Sequence, residues 1–180
     1  MENNSNKYLF IDFDGVINDN YSEVKESCIN ILKEILASSG AKPVVISSWL
    51  GWGSDRSINH VKEFLASFDI TNIDYIDVNY EGTLNGYYIA PRILGIYKYL
   101  EDKEKSLYLI LDDDYKNDYK SAKLNFYHTD PDKGLIEEDL PKLKFKKYKN
   151  TISNEISLKH YNRAIGDDIM GFMGYVRTRK

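Results

Sequence analysis

The chain has a single cysteine, Cys28, in 180 residues. No internal disulfide can form, and a reducing compartment is implied. Long apolar runs are also missing. No window approaches the ~20 apolar residues that a membrane span needs. The start, Met1 to Lys7, lacks the basic region and apolar stretch of a secretory signal. A cytoplasmic protein with no membrane partner is expected. Histidine is scarce, and His60, His128 and His160 show no metal-ligand spacing, so structural roles are expected for them. There is no internal repeat and no low-complexity segment. Tyrosine is plentiful, with 15 copies, which suits half-buried strands but identifies no chemistry.

The length allows one domain with a full hydrophobic core and is short for two. The net charge of −4 hides an asymmetry: residues 1–140 carry 14 basic and 25 acidic residues, and residues 141–180 carry 10 and 3. The expected division is therefore a body over 1–140 and a basic C-terminal extension over 141–180. That extension either packs on the body or meets a polyanion.

Tyr8 to Ile11 is too short for a helix and ends abruptly in Asp12-Phe13-Asp14-Gly15, the pattern of a buried parallel strand delivering polar groups at its end. An amphipathic helix follows from about Ser22 to Ser39, with Val24, Cys28, Ile31, Leu32, Ile35 and Leu36 on one face and Gly40 as its stop. Pro43 to Ile46 reads as a second strand ending in Ser47-Ser48. A helix is expected over 55–68 and a strand over 73–78. Residues 81–88 read as a loop or hairpin, followed by a helix from Pro91 to about Leu100. Leu107 to Leu111 is a strand ending in Asp112-Asp113-Asp114, and 124–128 is a last strand. Short strands alternating with helices predict a three-layer, doubly wound α/β sheet. Such sheets bind ligands beyond the carboxyl ends of their strands. The three polar clusters all fall at such ends and should meet.

Converging carboxylates repel one another, and a hard cation such as Mg²⁺ relieves that repulsion. Asp12, Asp14, Asp112 and Asp113 are the expected ligands. Asp12 could attack phosphorus, and Asp14 could protonate the leaving oxygen. Ser47, or Ser48 in its place, could hold phosphoryl oxygens. Arg92, with Lys98 second, could balance transition-state charge. Gly15, at the same turn, is expected to contact the substrate. Trp49 and Trp52 flank the site and could stack on a base, although packing is the commoner role for such residues. The run Lys142 to Lys149 interleaves five lysines with Leu143, Phe145 and Tyr148. It suits a phosphate backbone, or equally an edge strand protected by lysine. The apolar segment 169–176 could pack on the body or form a dimer contact.

Tyr8 to Val16 resembles motif I of the haloacid dehalogenase (HAD) superfamily, and Val44 to Ser47 resembles motif II. Arg92 stands where motif III supplies Lys or Arg, and Leu111-Asp112-Asp113 resembles motif IV. A narrower resemblance rests on Asp112 to Tyr115, Phe126 to Pro131 and Gly134 to Asp139. It is to the HAD domain of bacterial "Swiss army knife" RNA-repair proteins, and it spans residues 7–140. Where those relatives tend to have Trp-Arg, this chain has Trp49-Leu50, and Pro141 interrupts the helix expected after Asp139. The resemblance implies a Rossmann-like HAD fold and a Mg²⁺-dependent phosphatase or phosphotransferase. Asp12 would be nucleophile and metal ligand, and Asp14 acid/base and a ligand through its carbonyl. Ser47 would hold the phosphate, and Asp113, aided by Asp112, the metal.

The short spacings from Asp12 to Ser47 and from Ser47 to Arg92 leave no room for a large cap domain. The resemblance implies that an uncapped, open site accompanies large substrates such as proteins or nucleic-acid ends, and a nucleic-acid terminal phosphate or a nucleotide is the first expectation. A small-metabolite phosphatase and a non-catalytic RNA-binding module are the alternatives.

Overall fold

In the computed structural model the described residues are 6–19, 23–51, 53–103 and 105–149, together with the backbone of 156–160. In chain order the strands are β1 (Lys7–Ile11), β2 (Lys42–Val45), β3 (Asp74–Tyr75), β4 (Tyr80–Leu84), β5 (Tyr87–Tyr88), β6 (Leu107–Asp112), β7 (Phe126–His128), β8 (Lys146–Lys147) and β9 (Ile156–His160). The helices are α1 (Glu26–Ser39), α2 (Asp55–Ala66), α3 (Pro91–Leu100) and α4 (Lys116–Ser121).

The expected α/β class holds. A mostly parallel sheet in the order β3-β2-β1-β6-β7 is flanked by helices, with β8 added antiparallel to the start of β6. β1 sits in the middle, and Leu9, Phe10 and Ile11 are fully buried, as a strand covered on both faces requires. Ile11 is in register with Val45 and with Leu111. The three strand ends therefore lie side by side. The ladder continues one residue further, where the Asp12 N–H donates to the Leu111 carbonyl and the Ile46 N–H to that of Ile11, both at 3.0 Å.

The helix over 26–39 buries Cys28, Ile29, Ile31, Leu32 and Ile35, and it ends at Gly40 in the left-handed region, φ 64°. It starts later than expected. Lys25 is extended, and its N–H is held by the Ile17 carbonyl at 3.0 Å, which keeps the preceding residues out of the helix. α2 stops at Ala66, two residues short of the expected end, where the chain turns so that the Ile70 N–H reaches the Leu65 carbonyl. α3 matches the expected bounds, with Pro91 at its first position.

The strand expected over 73–78 shrinks to two residues, because the Asp77 carboxylate takes the Asn79 N–H at 2.8 Å and turns the chain. A hairpin of β4 and β5 comes next. Asn85 and Gly86 both have positive φ (52° and 81°), which is the geometry of a two-residue type I′ turn. β9 then pairs antiparallel with β4, making a small three-stranded sheet in the order β5-β4-β9. The hairpin lies in the segment between Ser47 and Arg92, and no large cap is seen among the described residues. Pro141 does not break the helix expected near 139: a 3-10 helix runs from Glu137 to Lys142 through it, a conformation whose φ proline already has.

The lysine-rich stretch contributes β8 at the sheet edge. Lys146 and Lys147 are exposed, while Tyr148 is buried with its ring 5.8 Å from that of Tyr108. Trp52 and the segment 169–176 lie outside the described residues.

Candidate active site

Asp12 leaves the end of β1 with its carboxylate almost wholly buried, and its Oδ1 accepts the N–H of Phe13 at 2.8 Å. Asp112, the last residue of β6, is fully buried. Its Oδ1 accepts the Asp114 N–H at 2.7 Å. Arg92 comes up from the first turn of α3, and a single guanidinium nitrogen, Nη1, donates to both acids. It lies 2.5 Å from Asp12 Oδ2 and 2.6 Å from Asp112 Oδ2. The same Asp112 oxygen accepts the buried hydroxyl of Tyr119 at 2.6 Å. The Tyr115 ring faces Arg92 with its centroid 5.0 Å from the guanidinium carbon.

Asp113 completes the cluster. One oxygen each from Asp12, Asp112 and Asp113 can come within 4.8 Å of one another. Three hard oxygen donors thus converge beside the Arg92 guanidinium, and they repel one another when ionised. That donor set fits a divalent, oxygen-loving cation, so the buried acidic triad could hold one.

The same crowding makes the acids hard to ionise without a metal. Burial pushes the Asp12 carboxyl up to about 7. Arg92 opposes the shift and the charge of Asp112 adds to it. Burial, then the charges of Asp112 and Asp114, push Asp113 up to about 6. Burial works against the charge on Arg92, but Asp12 and Asp112 outweigh it and hold the guanidinium protonated.

These shifts predict an inverted pH response. Both folded-state values lie above the ordinary 3.8, so between about pH 4 and 7 the folded chain binds more protons than the unfolded one. The stabilisation is complete below 3.8 and disappears as pH rises through about 6 and then about 7. In EDTA the melting temperature should fall between pH 5 and pH 7.5. The fall should be shallower in Asp12→Asn, and excess Mg²⁺ should offset it. A metal-free melting temperature that rises over this range in the unaltered protein but not in the variant would sink the assignment.

Gly15 forms the floor beneath Asp113. Its φ is 68°, and a Cβ there would overlap the Asp113 carboxyl group. The Gly15 N–H donates to Asn18 Oδ1 at 2.8 Å, and its carbonyl accepts the Thr129 hydroxyl at 2.7 Å. The glycine expected to contact substrate therefore has a structural reason of its own.

Asp14 does not join the acidic triad through its carboxylate. Its Oδ1 accepts from Asn18 Nδ2 at 3.2 Å and its Oδ2 from the Trp49 indole N–H at 3.3 Å. Ser47 is buried, at the end of the strand run that continues from β2, and its hydroxyl oxygen accepts the Trp49 N–H at 3.3 Å. Ser48 points outward and opens a 3-10 turn.

The structure brings together Asp12, Arg92, Asp112 and Asp113, with Gly15 packed beneath them. Lys98 is not among them. It sits in the last turn of α3, nearly half exposed, and pairs with Glu101. Arg92 takes the place for which Lys98 is the second candidate, because the first turn of α3 faces the strand ends and the last turn does not. Trp49 packs edge-on against Phe13, with ring centroids 5.2 Å apart, and against Phe64. That contact and its bond to Asp14 account for the ring better than an exposed stacking surface does.

Sequence reasoning misses Tyr119, Asn18 and Thr129. α4 is short and polar with only Tyr119 buried, so it carries no periodic signal. Asn18 is four residues beyond Asp14, a spacing for a side-chain bond that could have suggested it.

A parallel α/β sheet that gathers an Asp-x-Asp-Gly turn, a basic helix start and an Asp-Asp pair at one edge defines a HAD-type domain. The family model for the HAD domain in Swiss Army Knife RNA repair proteins matches residues 8–140, and the chain belongs to that family. No curated protein and no solved structure matches the chain. Family membership points to a hydrolase of the phosphatase type. No helix among the described residues is long and apolar enough to cross a membrane.

Proposed function

We propose that this domain hydrolyses phosphomonoesters through an aspartyl-phosphate on Asp12, with Mg²⁺ as cofactor. The observation that carries the reading is the bridge from Arg92 to both Asp12 and Asp112, with Asp113 beside them. It supports the reading because it sets a buried carboxylate beside a permanent cation and two further acids. An Asp12 oxygen attacks phosphorus, the ester P–O bond breaks, and Asp14 gives its proton to the departing oxygen. Water then adds to phosphorus with its proton passing to Asp14, and the acyl-phosphate bond opens to restore Asp12. Arg92 orients Asp12 and offers charge to the phosphoryl oxygens, and Ser47 donates its hydroxyl to them. Mg²⁺ bound by Asp12, Asp112 and Asp113 would neutralise charge on the phosphoryl group. The Asp14 carboxylate is engaged by Trp49 and Asn18, so any contribution of Asp14 to the metal would come from its backbone carbonyl. Turnover of an aryl phosphate that needs Mg²⁺ and stops in EDTA is the expected result. No turnover of any phosphomonoester with Mg²⁺ bound would end the reading.

The substrate we favour is a nucleic-acid end carrying a terminal phosphate. The family is that of RNA repair proteins, and no large cap is seen among the described residues. Tyr87 and Tyr88, 80% and 72% exposed, stand on the hairpin only a few residues before Arg92. Four residues of extended chain reach at most ~14 Å, so Tyr88 is within a few nucleotides of the phosphate site. Each stacked base is worth ~1–3 kcal/mol. Replacing Tyr87 and Tyr88 together by alanine should raise KM for an end-phosphorylated oligonucleotide by ~10-fold or more and leave an aryl phosphate unaffected. Equal effects on both substrates would favour a nucleotide or small metabolite instead.

A further inference from the structure

Trp49 joins two parts of the site that the reaction uses at different moments. Its backbone N–H donates to the hydroxyl oxygen of Ser47 at 3.3 Å, and its indole N–H donates to Oδ2 of Asp14 at 3.3 Å. The ring is set by edge-on contact with Phe13, centroids 5.2 Å apart, and by Phe64 at 5.3 Å. Asn18 takes the other oxygen of the same carboxylate at 3.2 Å, and its own amide oxygen accepts the Gly15 N–H at 2.8 Å.

Asp14 is thus gripped from both sides by neutral donors. Its backbone belongs to the turn after β1, while one of the donors belongs to the turn after β2. A half-buried carboxyl on a turn has several rotamers within reach. Two donors from separate elements select one of them, and a proton donor a fraction of an ångström out of line loses much of its effect.

We propose that Trp49 is a positioning residue for proton transfer: it aims the Asp14 carboxyl at the leaving oxygen. Its role is neither stacking on a base nor filling a gap between Phe13 and Phe64. The inference rests on the phosphatase reading and deepens it. It applies to the half-reaction in which the ester P–O bond breaks and the proton of Asp14 moves to the departing alcohol. An alcohol with a high pKa needs that proton, and a nitrophenolate leaves without it. Asp14 also serves the later attack of water, which is common to all esters, so the leaving-group step is read from kcat/KM, where loss of aim should appear only with poor leaving groups.

The test is Trp49→Phe, which keeps an aromatic ring for Phe13 and Phe64 and removes the indole N–H. Turnover is measured with Mg²⁺ on p-nitrophenyl phosphate and on an alkyl phosphate. General acid catalysis contributes about 10²–10⁴-fold. A partial loss of ~10-fold in kcat/KM is then expected for the alkyl ester, with less than about twofold change for the nitrophenyl ester. The ratio of the two rates on one sample does not depend on the fraction of protein folded, so a destabilised variant still reports. In an Asp14→Asn background the Trp49→Phe effect should vanish, because the group it aims is gone.

Equal losses in kcat/KM on both esters, or an undiminished loss in the Asp14→Asn background, would overturn the positioning role and leave the phosphatase reading intact. Failure of the unaltered protein to turn over either ester would overturn the phosphatase reading itself, and the positioning role with it.

Discussion

Asp12→Asn should lose phosphatase activity by on the order of 10³-fold or more, since the amide has no nucleophilic oxygen anion to offer phosphorus. The fold should survive. Asparagine has the same shape, keeps a carbonyl oxygen for the Phe13 N–H, and leaves Arg92 its second partner, Asp112. Circular dichroism and a melting curve beside the kinetic assay separate the two properties. A variant that is folded, binds Mg²⁺ and retains more than about a tenth of the activity would exclude Asp12 as the nucleophile.

Arg92→Ala is expected to be the most damaging single change to stability in the metal-free protein. It leaves Asp12 and Asp112, both buried, facing each other without the cation that bridges them. Breaking a buried ion pair by removing one partner costs about 3–5 kcal/mol, because the remaining charge is left unpaired. Urea unfolding in EDTA should show a loss of that size. Mg²⁺ should recover part of it by supplying positive charge to the same oxygens. Activity should fall by ~10²–10³-fold even with saturating Mg²⁺, because charge at the phosphoryl oxygens is lost. Arg92→Lys should be far milder. One nitrogen makes both contacts, and a lysine ammonium can donate to two acceptors from one point. A lysine variant as unstable as the alanine one would show that the guanidinium plane, and not its charge, holds the pair together.

Most of the site's acids are legible in the order of residues alone. Asp12, Asp112 and Asp113 each follow a four- or five-residue run that is apolar without alternation, the pattern of a strand buried on both faces. Polar residues that end several such strands of one parallel sheet lie at one edge. Arg92 is legible for a related reason: Pro91 marks a helix start, and that start faces the same edge. Trp49 is only half legible. Its position beside Ser47 is a matter of sequence, but its indole points to Asp14, and no spacing rule links residues 14 and 49.

The elements that sequence reasoning misses share a cause. α4 has one buried side chain, so it lacks the apolar repeat by which helices are recognised. β9 finds its partner in β4, some 75 positions away, and local pattern carries no information about such pairings. The same holds for Tyr119, whose hydroxyl reaches Asp112 only because α4 folds back over the end of β6.

Taken alone, the sequence determined the fold class, the strand ends and the identity of the acids, because burial and backbone period are local properties written in the order of apolar and polar residues. The tertiary structure decided which basic residue meets those acids. It also decided that Asp14 is held by Trp49 and Asn18 and not by the triad, and that an aromatic hairpin lies between the second strand and Arg92. Those outcomes depend on distances between segments remote in the chain, which are set by how the elements pack.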